Sequence, residues 1–343
     1  MKKILYSCLV CVLLALLLGM AGAILYDRAQ HFLTFAPDSQ ASPVVFVVFP
    51  GQSLKTIAND LEKEHLVTNG TWFRLYARYK GVAKKIKAGE YEMSGALTPV
   101  QILDILVQGK ERLIALSFPE GFTMDQLALR VEAQGFCSAR KFSALCRNPA
   151  FIKKMKVPSH SLEGFLFPDT YFFPVHAKCT DILEKMVSTF FRHIPAAWES
   201  RARALGFSLQ EIITLASMIE KETAAPEERP LIASVFHNRL KKRMRLESDP
   251  TVVYGLSDFS GRIRKKHLRN PTPYNTYQIR GLPKGPIANP GLLSIKAALY
   301  PASASYLYFV SKNDRTHHFS KTLAEHNRAV YVYQIKKKVG GEL

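Results

Sequence analysis

Motifs for metal binding and for redox chemistry are missing from this sequence of 343 residues. Its ten histidines show no zinc-type spacing, and the neighbours His317 and His318 offer poor geometry for two ligands on one element. No cysteine and histidine are placed in a way that suggests a nucleophile with its base. We therefore expect no metal ion and no other cofactor.

Cysteine is also scarce, with five residues in the whole chain. Cys8 and Cys11 lie in an apolar N-terminal run, which leaves Cys137, Cys146 and Cys179 for the rest of the chain. An odd number allows one disulfide and one free thiol. The sequence does not select the pair.

Acidic side chains are few, because 28 Asp and Glu stand against 47 Lys and Arg, for a formal net charge of +19. Such an excess is typical of proteins that bind nucleic acid, and it equally suits anionic lipid headgroups or an anionic wall polymer. The N-terminal segment predicts export from the cytoplasm. We therefore expect no nucleic-acid partner and interpret many of the lysines as solvated surface.

That N-terminal segment is an uncharged run from Ile4 to Tyr26, preceded by Lys2 and Lys3. It is long enough for the ~20 residues of a membrane span and longer than the ~7 to 15 residues of a signal-peptide core. We expect an uncleaved single-pass anchor over residues 1–26, with a cleaved signal peptide as the alternative. The lysines predict a cytoplasmic N-terminus and an exported chain after Asp27.

Beyond the span, the chain is predicted to be α+β. Residues 27–43 are polar and contain Pro and Ser, as expected of a tether. Residues 44–115 are predicted to form a small α+β module, which opens with a strand from Val44 to Phe49 and a helix capped by Ser53. A similar pattern recurs from Pro119 to Ala128, so residues 116–160 are expected to hold a second small module and a connector.

Residues 161–343 are predicted to form the largest, mixed α+β domain. It opens with SLEGFLFPDTYFFP, in which Glu163 and Asp169 lie among aromatic residues that include Tyr171. Aromatic faces stack on sugar rings and carboxylates accept hydroxyl protons, so this segment suits sugar binding. A hydrophobic corner with surface acids would have a similar composition.

A predicted helix from Leu209 to Thr223 carries two acids in its last turns. On a helical wheel, Glu220 and Glu222 flank an apolar stripe on opposite shoulders. A carboxylate at the rim of an apolar face is partly desolvated, which raises its pKa and suits it to proton transfer near neutral pH. The alternative is the charged last turn of an ordinary core helix. The wheel does not choose between the two acids.

Five separated blocks of the large domain resemble the YceG-like (MltG) family, which are membrane-anchored endolytic murein transglycosylases of bacteria. The blocks are LEGFLFPDTY, ASMIEKET, FHNRL with DPTVVYG, YNTYQIRGLP with IANPG, and YLYFVSKN with HHFSKTLAEHN. The G-x-S-L-x-x-I-A pattern that begins at Gly51 resembles a LysM-like glycan-binding module. Glu247 and Ser248 stand where this family has a Gln-Thr type pair, which bears on fine specificity.

The resemblance implies cleavage, without water, of the bond between N-acetylmuramic acid (MurNAc) and N-acetylglucosamine (GlcNAc) in nascent peptidoglycan strands. The products would carry 1,6-anhydro-MurNAc ends. The resemblance implies that Glu222 is the single acid and base. It also implies that Glu220 is a structural residue that bonds to a nearby loop. It also predicts substrate-binding residues in the cleft, namely Glu163, Asp169, Tyr171, Thr223, Asn238, Asp249, Tyr254, Asn275, Thr276 and Tyr277.

The same resemblance implies an anchor in the inner membrane, an exported catalytic domain, and peptidoglycan synthases and elongation or division proteins as partners. A hydrolytic muramidase is one alternative, and it would ordinarily need a second carboxylate from Glu163, Asp169 or Asp249. A non-catalytic scaffold that binds peptidoglycan is the other, and it would not need Glu222.

Overall fold

The computed structural model describes residues 2–223, 225–254, 256, 259 and 261–336. Met1 and residues 337–343, at the ends of the first and last predicted segments, lie outside the described residues. The chain divides into a first unit of Met1–Ile114 with Pro174–His176 and a second of Ala115–Phe173 with Ala177–Leu343. The predicted α+β class is confirmed. Residues 116–160 belong to the same unit as most of 161–343, and the finer division into segments stays a prediction.

The first unit begins with a long helix. Its elements in chain order are α1 (Lys2–Thr34), β1 (Val44–Val48), α2 (Leu54–Lys63), α3 (Gly70–Tyr79), β2 (Gly89–Met93) and α4 (Pro99–Gln108). Within α1, the segment Cys11–Thr34 is long and apolar enough to cross a membrane. This is consistent with the predicted single-pass anchor.

A small core holds the first unit together. Strands β1 and β2 pair antiparallel, from Val44 opposite Met93 to Val48 opposite Gly89. The side chain of Ser53 accepts a hydrogen bond from the backbone N–H of Thr56, so the predicted cap of α2 is confirmed. The strands and the three short helices enclose a cluster of buried apolar side chains that includes Phe46, Leu61, Phe73, Tyr91 and Leu106.

From Leu113 onward the chain alternates helices with short strands. The elements are β3 (Leu113–Ser117), α5 (Met124–Ala133), α6 (Ala139–Cys146), α7 (Pro149–Lys154), β4 (Thr170–Pro174), α8 (Cys179–His193), α9 (Ala196–Ala204), α10 (Leu209–Glu222), a 3₁₀ turn (Pro226–Glu228), α11 (Arg229–Lys241), α12 (Asp249–Tyr254), α13 (Lys265–Leu268), α14 (Leu292–Leu299), β5 (Tyr308–Ser311), β6 (His317–Ser320), α15 (Leu323–Val330) and a π-helical turn (Tyr331–Lys336). Strand β3 pairs with β4, and β5 pairs with β6.

Local sequence signals account for several of these boundaries. Thr123 and Gln126 form a reciprocal capping box at the start of α5. The last residue of α10 is Glu222, and Thr223 caps it with extended backbone at φ −143° and ψ 140°. The Gly- and Pro-rich segment 281–291 contains no helix or strand.

Helix α10 is the central element of the second unit. Every residue from Ile212 to Ile219 is buried, so the helix is enclosed on all sides rather than along a single stripe. Its polar side chains are satisfied internally: the Ser217 hydroxyl donates to the carbonyl of Thr214 at 2.7 Å and accepts from the N–H of Ile287 at 3.0 Å. The irregular segment 281–291 therefore packs directly on α10.

One disulfide, Cys137 to Cys179, crosslinks the chain across a sequence separation of 42 residues, with 6.0 Å between the Cα atoms. Cys146 is a free thiol. It is fully buried in the core of the second unit, and this burial raises the pKa of the thiol far above its ordinary value. The structure thus selects the pair that the sequence leaves open.

We expect replacement of both Cys137 and Cys179 by Ser to destabilise the protein by about 2 to 4 kcal/mol, because closing a loop of this size restricts the unfolded chain. Thermal unfolding with and without a thiol reductant measures the effect. The reductant should lower the melting temperature of the wild type and leave that of the double variant unchanged. A non-reducing digest that links Cys146 to another cysteine would contradict the pairing.

Candidate active site

Glu222 lies at the C-terminal end of α10, where the enclosed helix reaches the surface. Its side chain is half-buried, and its Oε1 accepts a short hydrogen bond from the Ser248 hydroxyl. Burial raises the pKa of Glu222 to about 7, and the charge of Asp249 acts in the same direction. The Ser248 hydrogen bond and the positive charge of Arg239 act against them. Glu222 can therefore both donate and accept a proton near neutral pH.

Ser248 is held in place by buried hydroxyl groups. Its backbone N–H donates to Oγ1 of Thr276 at 2.9 Å, and its carbonyl accepts from the Thr251 hydroxyl at 2.6 Å. The hydroxyls of Thr251 and Thr276 are themselves 2.8 Å apart. Thr276 thus contacts Glu222 only through Ser248, and its predicted binding of substrate stays a prediction.

The segment before Ser248 is anchored by Arg239 of α11. The guanidinium donates to the carbonyl oxygens of Arg245 at 3.1 Å and Leu246 at 3.0 Å, and to a carboxylate oxygen of Glu247 at 3.2 Å. Ser248, Thr251 and Arg239 are absent from the predicted set. The sequence feature that could have identified them is their position: Arg239 and Thr251 lie in the FHNRL and DPTVVYG blocks, and Ser248 directly precedes the second.

Asp249 and Tyr277 form a second polar pair beside Glu222. The Tyr277 hydroxyl donates to Oδ1 of Asp249 at 2.8 Å. Asp249 and Lys221, which flank Ser248 and Glu222 in sequence, line a cleft of about 360 Å³. A larger cleft of about 530 Å³ has Arg147, His160 and Tyr274 in its wall.

The two clefts share part of their lining, namely Thr123, Gln126, Val253 and Tyr254. They therefore adjoin each other beside the end of α10, and together they are called the groove below. The groove is large enough for several groups of an extended ligand.

Glu163 is a buried residue, 1% exposed. Its carboxylate accepts hydrogen bonds from the N–H of Met124 at 3.0 Å, from the Asn289 amide at 2.9 Å and from the Tyr254 hydroxyl at 2.9 Å. Burial raises the pKa of Glu163 to about 7, against the lowering effect of the Met124 and Tyr254 bonds. Because protein groups occupy its oxygens, Glu163 positions helix α5, the IANPG loop and Tyr254 rather than facing the groove.

Most of the aromatic segment around Glu163 packs inward, whereas Phe172 is 62% exposed. Tyr171 is 4% exposed, its ring lies 6.0 Å from that of Phe173, and its hydroxyl donates to the carbonyl of Phe167 at 2.7 Å. Asp169 is exposed and its Oδ1 accepts from the N–H of Thr170 at 2.7 Å. This geometry is that of a hydrophobic corner, and it does not bring Asp169 or Tyr171 to Glu222.

Three further predicted residues hold the backbone of loops. The Asn238 amide donates to the carbonyl oxygens of Ala304 and Tyr306 at 2.8 and 3.0 Å. The Asn275 amide donates to three carbonyl oxygens, those of His267, Leu268 and Asn270. The hydroxyl of Thr223 accepts from the N–H of Ala225 at 3.0 Å and lies 3.5 Å from a carboxylate oxygen of Glu228.

Glu220 bonds to a nearby loop, as expected, and also to α11. Its two oxygens accept from the Arg229 guanidinium at 3.2 Å and from the N–H of Gly291 at 3.0 Å. A Cβ at Gly291 would lie 1.8 Å from Oε1 of Glu120, so the flexible Glu120 side chain would have to move aside. Glu220 therefore joins α10 to α11 and to the loop that ends at Gly291.

Among the described residues, no group of three or more His, Cys, Asp or Glu side chains could hold a metal ion. The acids near the groove are instead paired with Arg, Tyr or Ser partners. With its raised pKa, Glu222 offers proton transfer next to a groove with polar and aromatic walls.

Comparison with known proteins places this geometry in a family. The model of the YceG-like family matches residues 46–331. A Bacillus subtilis protein named endolytic murein transglycosylase is 33% identical over 329 residues, which are 91% of this chain and 90% of that protein. A Streptococcus pneumoniae protein of the same name is 29% identical over 85% of this chain, and the match spans only 59% of that longer relative.

A solved structure agrees with these matches. The crystal structure of a YceG-like protein from Listeria monocytogenes superposes with a TM-score of 0.59 and 35% identity. The match covers 84% of this chain and 100% of that one. With the family model matched over residues 46–331, this chain belongs to the YceG-like family.

Proposed function

We propose that this protein is an endolytic peptidoglycan lytic transglycosylase in which Glu222 is the single acid and base. The observation that carries the proposal is a half-buried carboxyl group with a pKa of about 7, whose neighbours Lys221 and Asp249 line the groove. The names of the relatives from Bacillus subtilis and Streptococcus pneumoniae support the same substrate class.

In the first step, protonated Glu222 donates its proton to the oxygen that links MurNAc C1 to GlcNAc. The bond from C1 to that oxygen breaks as positive charge develops on the muramic ring. In the second step, the Glu222 carboxylate takes the proton of the sugar's own 6-hydroxyl. O6 then bonds to C1, so the 1,6-anhydro ring closes without water and Glu222 is protonated again.

The environment of Glu222 suits a residue that changes its charge in each step. Ser248 donates to Oε1, which leaves Oε2 free of that bond. A neutral hydroxyl donor can serve the carboxylate and, after rotation, accept from the acid form. Thr251 and Thr276 keep Ser248 in place throughout, because they bond to its backbone rather than to its hydroxyl.

A hydrolytic muramidase is the alternative that one observation favours. Asp249 is close enough to raise the pKa of Glu222, and it is held by Tyr277. Of the three candidate second carboxylates, Glu163 is buried and Asp169 has no such effect on Glu222. Asp249 would therefore be the group that activates a water, and in the transglycosylase it instead orients the sugar chain.

We also propose that α1 anchors the protein in the inner membrane with its N-terminus in the cytoplasm. The two lysines before the apolar run support this orientation. The Cys137–Cys179 disulfide supports an exported second unit, because such bridges persist in oxidising compartments. Residues 44–115 would add a LysM-like glycan-binding module, and the synthases and the elongation or division proteins would be partners along the membrane.

Glu222→Gln should reduce the rate at which glycan fragments are released from purified sacculi by about 10²-fold to 10⁴-fold, because proton donation is lost. Glu220→Gln is the matched control two residues away. It should retain activity but unfold at lower temperature, since it weakens the contact with Arg229. Mass spectrometry should find products lighter by one water than hydrolysis products.

Loss of activity in Glu220→Gln with full activity in Glu222→Gln would overturn the choice of catalytic residue. Full activity in both variants would overturn the role of Glu222, and a wild type that binds sacculi without releasing fragments would indicate a non-catalytic, peptidoglycan-binding protein. If the wild type released products with reducing ends, the protein would be a hydrolase and not a transglycosylase.

The value of kcat/KM should fall as the pH rises above an apparent pKa of about 7, because only protonated Glu222 can donate to the leaving oxygen. Ser248→Ala removes a bond that stabilises the carboxylate, so it should raise that pKa and move the decline to higher pH. Asp249→Asn removes a neighbouring negative charge and should move it to lower pH. If the apparent pKa shifted in the same direction in both variants, the result would contradict this account of the site.

A further inference from the structure

A groove of about 350 Å³ lies in the first unit, between the C-terminal turns of α1 and helix α3. Tyr26, Phe32 and Leu33 of α1 form one wall, and Trp72, Leu75 and Tyr79 of α3 form the other. The groove is apolar and aromatic and lies outside the proposed catalytic site. Nothing in the proposed reaction uses it.

The groove is at the level of the membrane surface if α1 spans the bilayer. Helix α1 contains 33 residues and is therefore roughly 50 Å long, whereas the hydrocarbon core of a bilayer is about 30 Å thick. The uncharged run ends at Tyr26, and Asp27 and Arg28 follow directly. Tyr26 is thus the last residue of the uncharged run and the first of the groove.

Helix α3 presents an apolar face away from its own core. Phe73 and Ala77 are fully buried in the first unit, whereas Leu75 is 49% and Tyr79 86% exposed. Tyr26, on α1, is 68% exposed. Exposed apolar patches of this kind mark sites for proteins or membranes, and Trp and Tyr are the residues enriched where a membrane meets water.

A basic side chain lies beside the same groove. Lys80, at the end of α3, is exposed, and its ammonium lies 5.8 Å from the centre of the ring of Tyr76, which lines the groove. A cation beside an apolar groove complements a lipid phosphate above an acyl chain. This cation and the continuity of the groove with the apolar run of α1 favour a lipid over a protein helix.

We propose that α3 and the last turns of α1 form a phospholipid-binding groove in the outer interface of the membrane that α1 spans. An acyl chain of an outer-leaflet phospholipid occupies the groove, and its phosphate lies beside Lys80. The first unit is thereby held against the bilayer at α3 as well as by its anchor. This inference rests on the membrane anchoring proposed above.

Tryptophan fluorescence tests the inference directly, because the chain contains only two tryptophans. Trp72 lines the groove, and Trp198 lies on α9 in the second unit. The full-length Trp198→Phe variant, with Trp72 as sole emitter, is reconstituted into nanodiscs of phosphatidylglycerol with or without brominated acyl chains. We expect brominated lipid to quench Trp72 as strongly as it quenches a membrane-inserted tryptophan ester.

The control adds Leu75→Asp and Tyr79→Asp to the same variant, which places charge on the apolar face without touching Phe73 or Ala77. Quenching should fall markedly in this control. Unquenched Trp72 in the parent, or equal quenching in parent and control, would overturn the groove assignment.

Two further measurements separate this inference from the proposals on which it rests. Resistance of the protein to carbonate extraction tests the anchor, and extraction would overturn both the anchor and the groove. Release of anhydro-ended fragments by the detergent-solubilised control should match that of the wild type. Circular dichroism should show the same helix content in parent and control.

Discussion

No side chain of helix α10 between Ile212 and Ile219 is exposed, and this burial fixes the helix about its own axis. Its C-terminal turn therefore emerges in one orientation, with Glu222 towards Ser248 and Glu220 towards Arg229 and Gly291. The loops around the turn are fitted to this orientation. A rotation of the helix would expose apolar surface and break the hydrogen bond between the Ser217 hydroxyl and the N–H of Ile287.

The two acids differ because their partners differ in charge. Glu220 is buried against a guanidinium, so its negative charge is balanced and its place is structural. Among the described residues, Glu222 has only a hydroxyl donor in direct contact, with Arg239 acting from further away and Asp249 opposing it. Desolvation without a full counter-charge raises the pKa of Glu222 to about 7. The same physical cause acts at Glu163, but three protein donors occupy that carboxylate and keep it from the groove.

Much of the local structure follows from short-range signals that can be recognised in the sequence. The Ser53 cap, the capping box of Thr123 and Gln126, and the limits of α10 are each fixed within a few residues. The pairing of Cys137 with Cys179 is different in kind, because it depends on where α8 packs against the helices before it. The roles of Asn238 and Asn275 could not be predicted for the same reason, since each amide bonds to loop carbonyls.

The sequence by itself determined the class of the protein: an apolar N-terminal helix, an α+β chain, membership of one family and a carboxylate pair at the end of a core helix. Only the tertiary structure decided what each acid touches. Ser248, Thr251 and Thr276 come from two separate blocks, and Glu163 meets donors 39 and 126 positions away. Pattern and spacing report on neighbours along the chain, whereas desolvation and hydrogen bonding depend on neighbours in space, and those set the proton chemistry of Glu222.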